Sequence, residues 1–364
     1  MVSKKYIYRT LMAAFFCAFM PAAQAQSNMT LYGALNVEFG SYQISGTAIG
    51  TDNKHLTKVD SNSMVTSYIG FKGTESLGDG LSAGFVLESF LRPDTGAAGR
   101  NDAGGIKTAD VFWGRASNVW LQGGFGKLTL GRQANLLFGQ VVAFNPFGGA
   151  FGLSPAVRLT YGKWGNDRGD SSWSNAASYS TPTMAGFTAT AQAQAGEATN
   201  GSEGASYALG GTYVSGPLAL AAGWQTVRSA SEPMPNLTAG QRQTFGLLNA
   251  SYDAGFAKLF AEWGQIKNHG YSTGTRINTT LFQLGAAVPV TKASKVLISY
   301  GESTEKPTEG STSTVVTRHN ILTLAYDYWL SKRTDTYAAV MMDNEMLTGF
   351  KKGYTYVVGM RHAF

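Results

Sequence analysis

The chain is 364 residues long with one cysteine and 45 glycines, and 12% of its residues are aromatic. A lone cysteine, Cys17, excludes a disulfide framework and a multi-thiolate metal site. Three of the 29 basic and none of the 23 acidic residues fall in the first 25, so the remainder carries only +3 and gives no footing for a nucleic-acid partner.

Lys4, Lys5 and Arg9 precede an apolar run from Leu11 to Met20 and a small-residue end, Ala23-Gln24-Ala25. That is the layout of an export signal, and about ten apolar residues are too few for a spanning helix, which needs about 20. Cleavage is expected between Ala25 and Gln26, leaving one domain over 26–364 without cysteine.

The first predicted strand, Thr30 to Phe39, alternates: Leu31, Leu35, Val37 and Phe39 point one way, Tyr32, Asn36 and Glu38 the other. A polar segment over 41–62 leads to Tyr68-Ile69-Gly70-Phe71-Lys72-Gly73, where parity sets Lys72 opposite Ile69 and Phe71. After the Ser76–Gly80 turn, Leu81, Ala83, Phe85 and Leu87 continue the apolar face, with Glu88 and Arg92 on the other. A strand ending Leu130-Gly131-Arg132 then gives way to a segment over 133–167 rich in Gly and Phe (Phe138, Phe144, Phe147, Phe151), with no Asp or Glu before Asp167. Loops of this length inside a compact β domain are functional or disordered. This one is too apolar for a solvated linker, and is expected to fold back onto the protein.

Short turns near 123–126, 181–186, 215–217, 253–255, 292–294 and 331–333 alternate with longer polar connections over 93–109, 197–203, 230–241, 268–276, 303–314 and 344–352. They delimit 16 segments. In a bilayer every backbone polar group must be paired within the protein, which only helices and closed barrels achieve. Antiparallel strands of an even-numbered barrel then put all short turns on one side and all long loops on the other. Phe282, Leu284, Ala286 and Val288, then Val296, Ile298 and Tyr300, then Leu322, Leu324, Tyr326 and Tyr328 read as lipid-facing; Gln283, Lys295, Ser299, Thr323 and Asp327 read as lumen-facing. Trp224, Trp263, Trp329, Tyr354 and Tyr356 suit interfacial girdles. The fold expected is all-β: a 16-stranded antiparallel transmembrane β-barrel with an inward-folded constriction loop.

Catalysis has little to work with. The histidines are His55, His269, His319 and His362, two in expected outer loops and one in the last strand. The pattern Gly-x-Ser-x-Gly occurs at Gly80-Leu81-Ser82-Ala83-Gly84 and Gly270-Tyr271-Ser272-Thr273-Gly274, but neither opens an expected helix as a nucleophile elbow does, and no close His pair occurs, so no catalytic residue, metal ligand or cofactor is expected.

Several stretches taken in order resemble the trimeric general porins of Gram-negative outer membranes, in their betaproteobacterial branch. They are Leu31-Tyr32-Gly33, then Gly70-Phe71-Lys72-Gly73-Thr74-Glu75-Ser76-Leu77-Gly78, then Gly126-Lys127-Leu128-Thr129-Leu130-Gly131-Arg132-Gln133, Leu330-Ser331-Lys332-Arg333-Thr334, and Val358-Gly359-Met360-Arg361-His362-Ala363-Phe364. The resemblance implies a homotrimer in the outer membrane among its lipid and lipopolysaccharide, each subunit a water-filled channel for passive diffusion of small hydrophilic solutes and ions. It implies that 133–167 narrows the lumen, that Phe364 is read by the barrel-insertion machinery, and that 93–109 latches a neighbouring subunit.

The resemblance also implies a charge filter, a basic wall facing an acidic loop, and here the chain departs from it. Arg132 matches a basic position of the family, but Tyr68 and Ser172 stand where Arg is usual, with Arg168 four residues before Ser172 as a stand-in. The usual Pro-Glu-Phe-Gly-Gly of the loop is Pro146-Phe147-Gly148-Gly149. Arg158 and Lys163 are the loop's charges before Asp167. A positive, weakly opposed constriction formed with Lys72 and Arg132 predicts mild anion selectivity. Two other readings stay open: a channel for aromatic or acyl solutes, offered a greasy contact by Phe138, Val141, Val142, Phe144, Phe147 and Phe151, and a surface adhesin or receptor.

Overall fold

A sheet with one apolar face and no spare backbone partners closes on itself in lipid, and this chain does so. In the computed structural model, which describes residues 28–43, 45–48, 53–100, 110–162, 167–196, 204–228, 240–271, 277–307, 316–346 and 349–364, 16 antiparallel strands form one closed barrel. The export signal, Cys17, Lys163 and most of the long connections lie outside the described residues.

The strands are β1 (Asn28–Tyr42), β2 in two pieces (Leu56–Ser61 and Tyr68–Gly78), β3 (Leu81–Arg92), β4 (Ala116–Gly123), β5 (Gly126–Ala134), β6 (Ser172–Ser180), β7 (Phe187–Gln194) and β8 (Ser206–Ser215). They continue as β9 (Leu218–Val227), β10 (Arg242–Asp253), β11 (Lys258–His269), β12 (Ile277–Thr291), β13 (Ser294–Pro307), β14 (Thr317–Trp329), β15 (Thr334–Glu345) and β16 (Gly353–Ala363). Each pairs with its sequence neighbour, and β1 closes the ring on β16 from Ala34↔Ala363 to Tyr42↔Thr355. The last residue completes the seam: Gly33 N–H donates to Phe364 O at 3.3 Å and Phe364 N–H to Gly33 O at 3.1 Å.

Register confirms the lipid-facing sets. Leu284 pairs with Tyr300 and Ala286 with Ile298; Ile298 then pairs with Leu324 and Val296 with Tyr326. Trp224, Trp263, Tyr326, Tyr328 and Tyr356 are exposed on the outer wall, whereas Trp329 has the inward parity of Asp327 and lies near Lys295 and Arg361. The inward alternates are polar, but not wet as expected: Gln283, Ser299, Thr323 and Asp327 are fully buried. The first three belong to the arc of wall on which the inner loop lies.

The expected polar loop over 41–62 is partly strand. Leu56–Ser61 extends β2 alongside Val37–Tyr42, and the break falls later, at 62–67. There Asn62 turns the chain with φ 75°, and Asn36 Oδ1 accepts the N–H groups of Met64 and Val65 at 2.8 and 3.1 Å. Met64 is carried inward and buried. Strands also outlast their expected ends, β11 to His269, β13 to Pro307 and β15 to Glu345.

Candidate functional site: the constriction

The inner loop starts two residues later than expected, because Gln133 and Ala134 still belong to β5. It then makes two short helices, α1 (Leu136–Ala143) and α2 (Pro155–Thr160). Asn135 caps α1, its Oδ1 accepting from Leu137 and Phe138 N–H at 2.8 and 3.0 Å, as an Asn N-cap does. Its Nδ2 donates to Gln225 Oε1 of β9 at 2.8 Å. Ser154 caps α2 with Pro155 at the first helical position, where the missing proline N–H costs nothing.

The loop docks through two apolar clusters. Leu137, Val141, Phe151 and Val157 pack against Trp173, Phe245, Leu247, Ile266 and Leu281 of the wall. Phe147, Leu153 and Leu159 pack against Met64, Leu297, Ile321 and Met341. Close approach needs glycine beneath the helices: a Cβ at Gly301 would sit 2.9 Å from Leu159 Cδ1 and 3.0 Å from Pro155 Cβ, and one at Gly223 3.1 Å from Leu137 Cδ1. The tip approaches the inward break of β2, where a Cβ on Gly152 would lie 2.6 Å from Ser63 Cα.

This packing corrects two sequence-based placements. Phe147 is only 4% exposed; it is a wedge between loop and wall, not a lining residue. Val141, Phe144 and Phe151 are buried too, so most of the greasy surface proposed for the lumen faces the barrel. Arg158 is also buried: its Nη2 lies 2.7 Å from Asp343 Oδ2 on β15, and His319 Nε2 meets the other oxygen, Asp343 Oδ1. Arg158 is therefore an anchor with a counter-charge. That partner is 185 residues away in sequence, which no local pattern reveals.

The remaining predicted residues spread over one wall. Lys72 is exposed on β2, its Nζ 4.5 Å from the Tyr32 ring centroid. Tyr32 OH donates to Glu88 Oε1 at 2.5 Å. Tyr68 lies edge-on to Tyr32. Arg132 turns inward at a β-bulge between Gly131 and Gln133, donating to Gly114 O at 2.6 Å and to Ser174 Oγ at 2.7 Å. It has acidic company, with Asp170 Oδ2 at 3.7 Å. Arg92 holds the loop base, donating to Ala98 O at 3.2 Å. Ser172 is buried and donates to Arg115 O at 3.2 Å. Arg168 sits elsewhere, its N–H on Gln243 Oε1 of β10 at 2.8 Å and its side chain beside Tyr271, so it does not join the Arg132 group.

Two basic residues escaped the sequence reading. Arg115, just before β4, places its Nε 2.8 Å from Glu88 Oε2 and its guanidinium 4.2 Å from the Tyr68 ring centroid. A cation thus stands over the Tyr that replaces the usual Arg. Arg115 directly precedes β4, whose pairing with β3 at Glu88↔Ala116 brings the two side chains together, and no local pattern reveals that pairing. Arg100 is buried, its Nη1 2.9 Å from Asp170 Oδ1 and its Nη2 2.9 Å from Asp110 Oδ1. This part of the 93–109 loop is bound to its own barrel; 101–109 lies outside the described residues.

The described part of the loop, 135–162, exposes no charge. Gly139 and Ala143 are exposed, and Val142, Pro146, Gly148 and Gly149 half-buried. Asp167, at the loop's return, is buried with Oδ1 accepting from Gln225 Nε2 at 2.8 Å, and burial pushes its carboxyl up to about 8. Such a group carries little negative charge at neutral pH.

A family model for Gram-negative porins matches residues 10–345. An outer membrane porin protein of Bordetella pertussis is 28% identical, with 97% of this chain and 99% of that one aligned. Outer membrane porin protein 32 of Delftia acidovorans is 30% identical over 98% of this chain and 99% of its own. Among solved structures, an anion-selective porin from Comamonas acidovorans superposes with a TM-score of 0.73 at 25% identity, covering 93% of this chain and all of that one. OmpT of Vibrio cholerae in its trimer form shares the fold, with a TM-score of 0.66 at 14% identity over 93% and 99%. With its closed 16-stranded barrel and in-folded loop, the chain belongs to the Gram-negative porins, and is an outer-membrane channel for passive diffusion of small hydrophilic solutes.

Proposed function

We propose that the channel favours anions, and that Lys72 and Arg115 on the wall set this preference, while Arg132 is buried against Asp170. One observation carries the reading: Lys72 is exposed and Arg115 half-exposed, whereas the exposed positions of the described loop, Gly139 and Ala143, carry no acid to oppose them. On the wall itself Glu88 and Asp170 offset Arg115 and Arg132, which keeps the preference mild. Lys72 has no acidic partner among the described residues. A ring or strip of fixed cations attracts anions and repels cations over about a Debye length, some 8–10 Å near physiological salt. The solved porin from Comamonas acidovorans carries the name anion-selective, which supports the same reading. Reversal potentials across a planar bilayer in a salt gradient test it; a cation preference refutes it.

The same reading takes residues 1–25 as a cleaved export signal, Phe364 as the signal for insertion, and the working form as a homotrimer, the form named for the Vibrio cholerae relative. Conductance steps in threes, and an N-terminus at Gln26 by mass spectrometry of protein from the outer membrane, check these assignments.

A further inference from the structure

Beneath the inner loop one polar row crosses three strands of the wall: Asn249 of β10 pairs with Glu262 of β11, and Glu262 with Gln283 of β12. Paired residues on antiparallel strands share a face, with Cβ atoms about 4.5–5.5 Å apart, so Glu262 has an amide side chain on either hand. All three are buried, Glu262 to 3% exposure. Yet neither carboxylate oxygen of Glu262 has a hydrogen-bond partner among the described residues, nor has either amide atom of Asn249, nor Gln283 Oε1. No cation of the described residues pairs with Glu262 either. A charge held in the interior without a partner is strongly disfavoured.

Glycines flank the row, and the loop fills the space they leave. A Cβ on Gly285, the next residue after Gln283 on the same face, would sit 2.7 Å from Pro146 Cδ. Gly301, the β13 partner of Gln283, lies under Leu159 and Pro155 of α2. Gly223 of β9 pairs with Leu247, the inward neighbour of Asn249, and a Cβ there would sit 2.7 Å from Gln140 Oε1 of α1. Both helices and Pro146 thus close over the row from the lumen side. Gln140 is itself buried, and its Oε1 has no partner. Its Nε2 donates to Ala222 O at 3.0 Å, and Gln283 Nε2 donates to Ser299 Oγ at 2.9 Å. Those bonds fix both amides with the oxygen as the free end.

The free groups are mostly acceptors, and all of those are hard oxygens: the Glu262 carboxylate, amide oxygens of Asn249 and Gln283 on the wall, and that of Gln140 on the loop. Such a set suits a hard cation rather than a soft one. One carboxylate supplies one charge, so an alkali cation leaves the pocket neutral, whereas a divalent ion would bury net positive charge. We propose that Asn249, Glu262 and Gln283, with Gln140 reaching down from α1, bind an alkali cation between the inner loop and the barrel wall. Three ligands belong to the wall and one to the loop, so the ion ties the two together and its binding favours the docked loop. The site lies off the permeation path, because all four side chains are buried. It depends on loop docking alone and is independent of ion selectivity.

The test uses protein purified from outer membranes in neutral detergent, at constant pH and ionic strength, with sodium, potassium or N-methylglucamine as the cation of the chloride salt. Hydrogen exchange of α1 and α2 is followed by mass spectrometry. Sodium or potassium is expected to slow exchange in both helices saturably, by about tenfold at nine times the half-saturating concentration; N-methylglucamine has no effect. Glu262→Gln should abolish this dependence on the cation. Asn249→Leu breaks no hydrogen bond, and should raise the half-saturating concentration about tenfold or more. Exchange in the barrel strands, read in the same experiment, stays at the wild-type rate in both variants and shows the fold intact; Asn249→Leu keeps the test decisive if Glu262→Gln does not fold. Equal exchange in all three salts overturns the proposal, and if exchange then follows pH alone, a proton serves Glu262 instead. Protection by calcium without protection by sodium or potassium overturns it too, as does a cation effect that survives Glu262→Gln.

Discussion

Arg115 and Glu88 form a neutral pair on the pore wall, so removing either partner unmasks the other. Arg115→Gln leaves the Glu88 carboxylate, still held by Tyr32 OH, and shifts the local charge by one unit toward cations. Glu88→Gln leaves the Arg115 guanidinium stacked on Tyr68 and shifts it by one unit toward anions. A unit charge about 5 Å from a permeating ion in a water-like medium is worth about 0.8 kcal/mol. Screening with a Debye length of about 10 Å cuts this to about 0.5 kcal/mol. Chloride and potassium respond with opposite sign, so their permeability ratio moves by about 1 kcal/mol, or about fivefold. The two variants should therefore lie about 25-fold apart in that ratio, with the wild type and the double variant between them. Reversal potentials in a tenfold potassium chloride gradient read this directly. An unchanged ratio in Arg115→Gln, or a shift of the same sign in both variants, would refute the assignment of this pair to the constriction.

Three further outcomes follow from how the loop is held. Asp343→Asn leaves Arg158 buried without its counter-charge, which costs about 3–5 kcal/mol for a buried pair; the loop should undock, seen as higher conductance and faster hydrogen exchange in α1 and α2, and Arg158→Met with Asp343→Leu should recover much of the loss. Gly301→Val drives a side chain into Leu159 and Pro155, and should loosen α2 while the thermal stability of the barrel changes little; proteolysis between 148 and 162 is the check. Asp167 holds its proton up to about pH 8 when the loop is docked and releases it near 4 when the loop is free. Raising the pH between these values therefore favours undocking, so current noise should grow from pH 5 to pH 8, and Asp167→Asn should flatten that trend.

Much of the barrel was legible as sequence because its causes are local. Period-2 alternation follows from strand geometry, and the rhythm of short turns and long connections follows from closure in a bilayer. The missing acid in 133–167 already marked a loop that would not oppose a basic wall. Residue-by-residue likeness located Arg132, and parity located Lys72. The break in β2 was misread, since Ser61 to Tyr68 turns inward only to meet the loop tip at Gly152 and to bury Met64.

What local pattern could not supply was pairing across the ring. Arg158 reads as a pore charge until Asp343 is brought beside it, and Phe147 reads as lining until Leu297 and Ile321 close over it. Arg115 reads as an ordinary loop residue until two strand registers bring it to Glu88 and Tyr68. Likewise, Gln283, Ser299 and Thr323 alternate as lumen residues should, yet the loop covers them. The amino-acid sequence by itself determined which side chains face the lipid and which the interior, because that choice is made every second residue by the strand. Tertiary structure alone decided which interior charges are spent on holding the loop and which remain to act on solutes, because that depends on contacts between segments joined only by closure of the barrel.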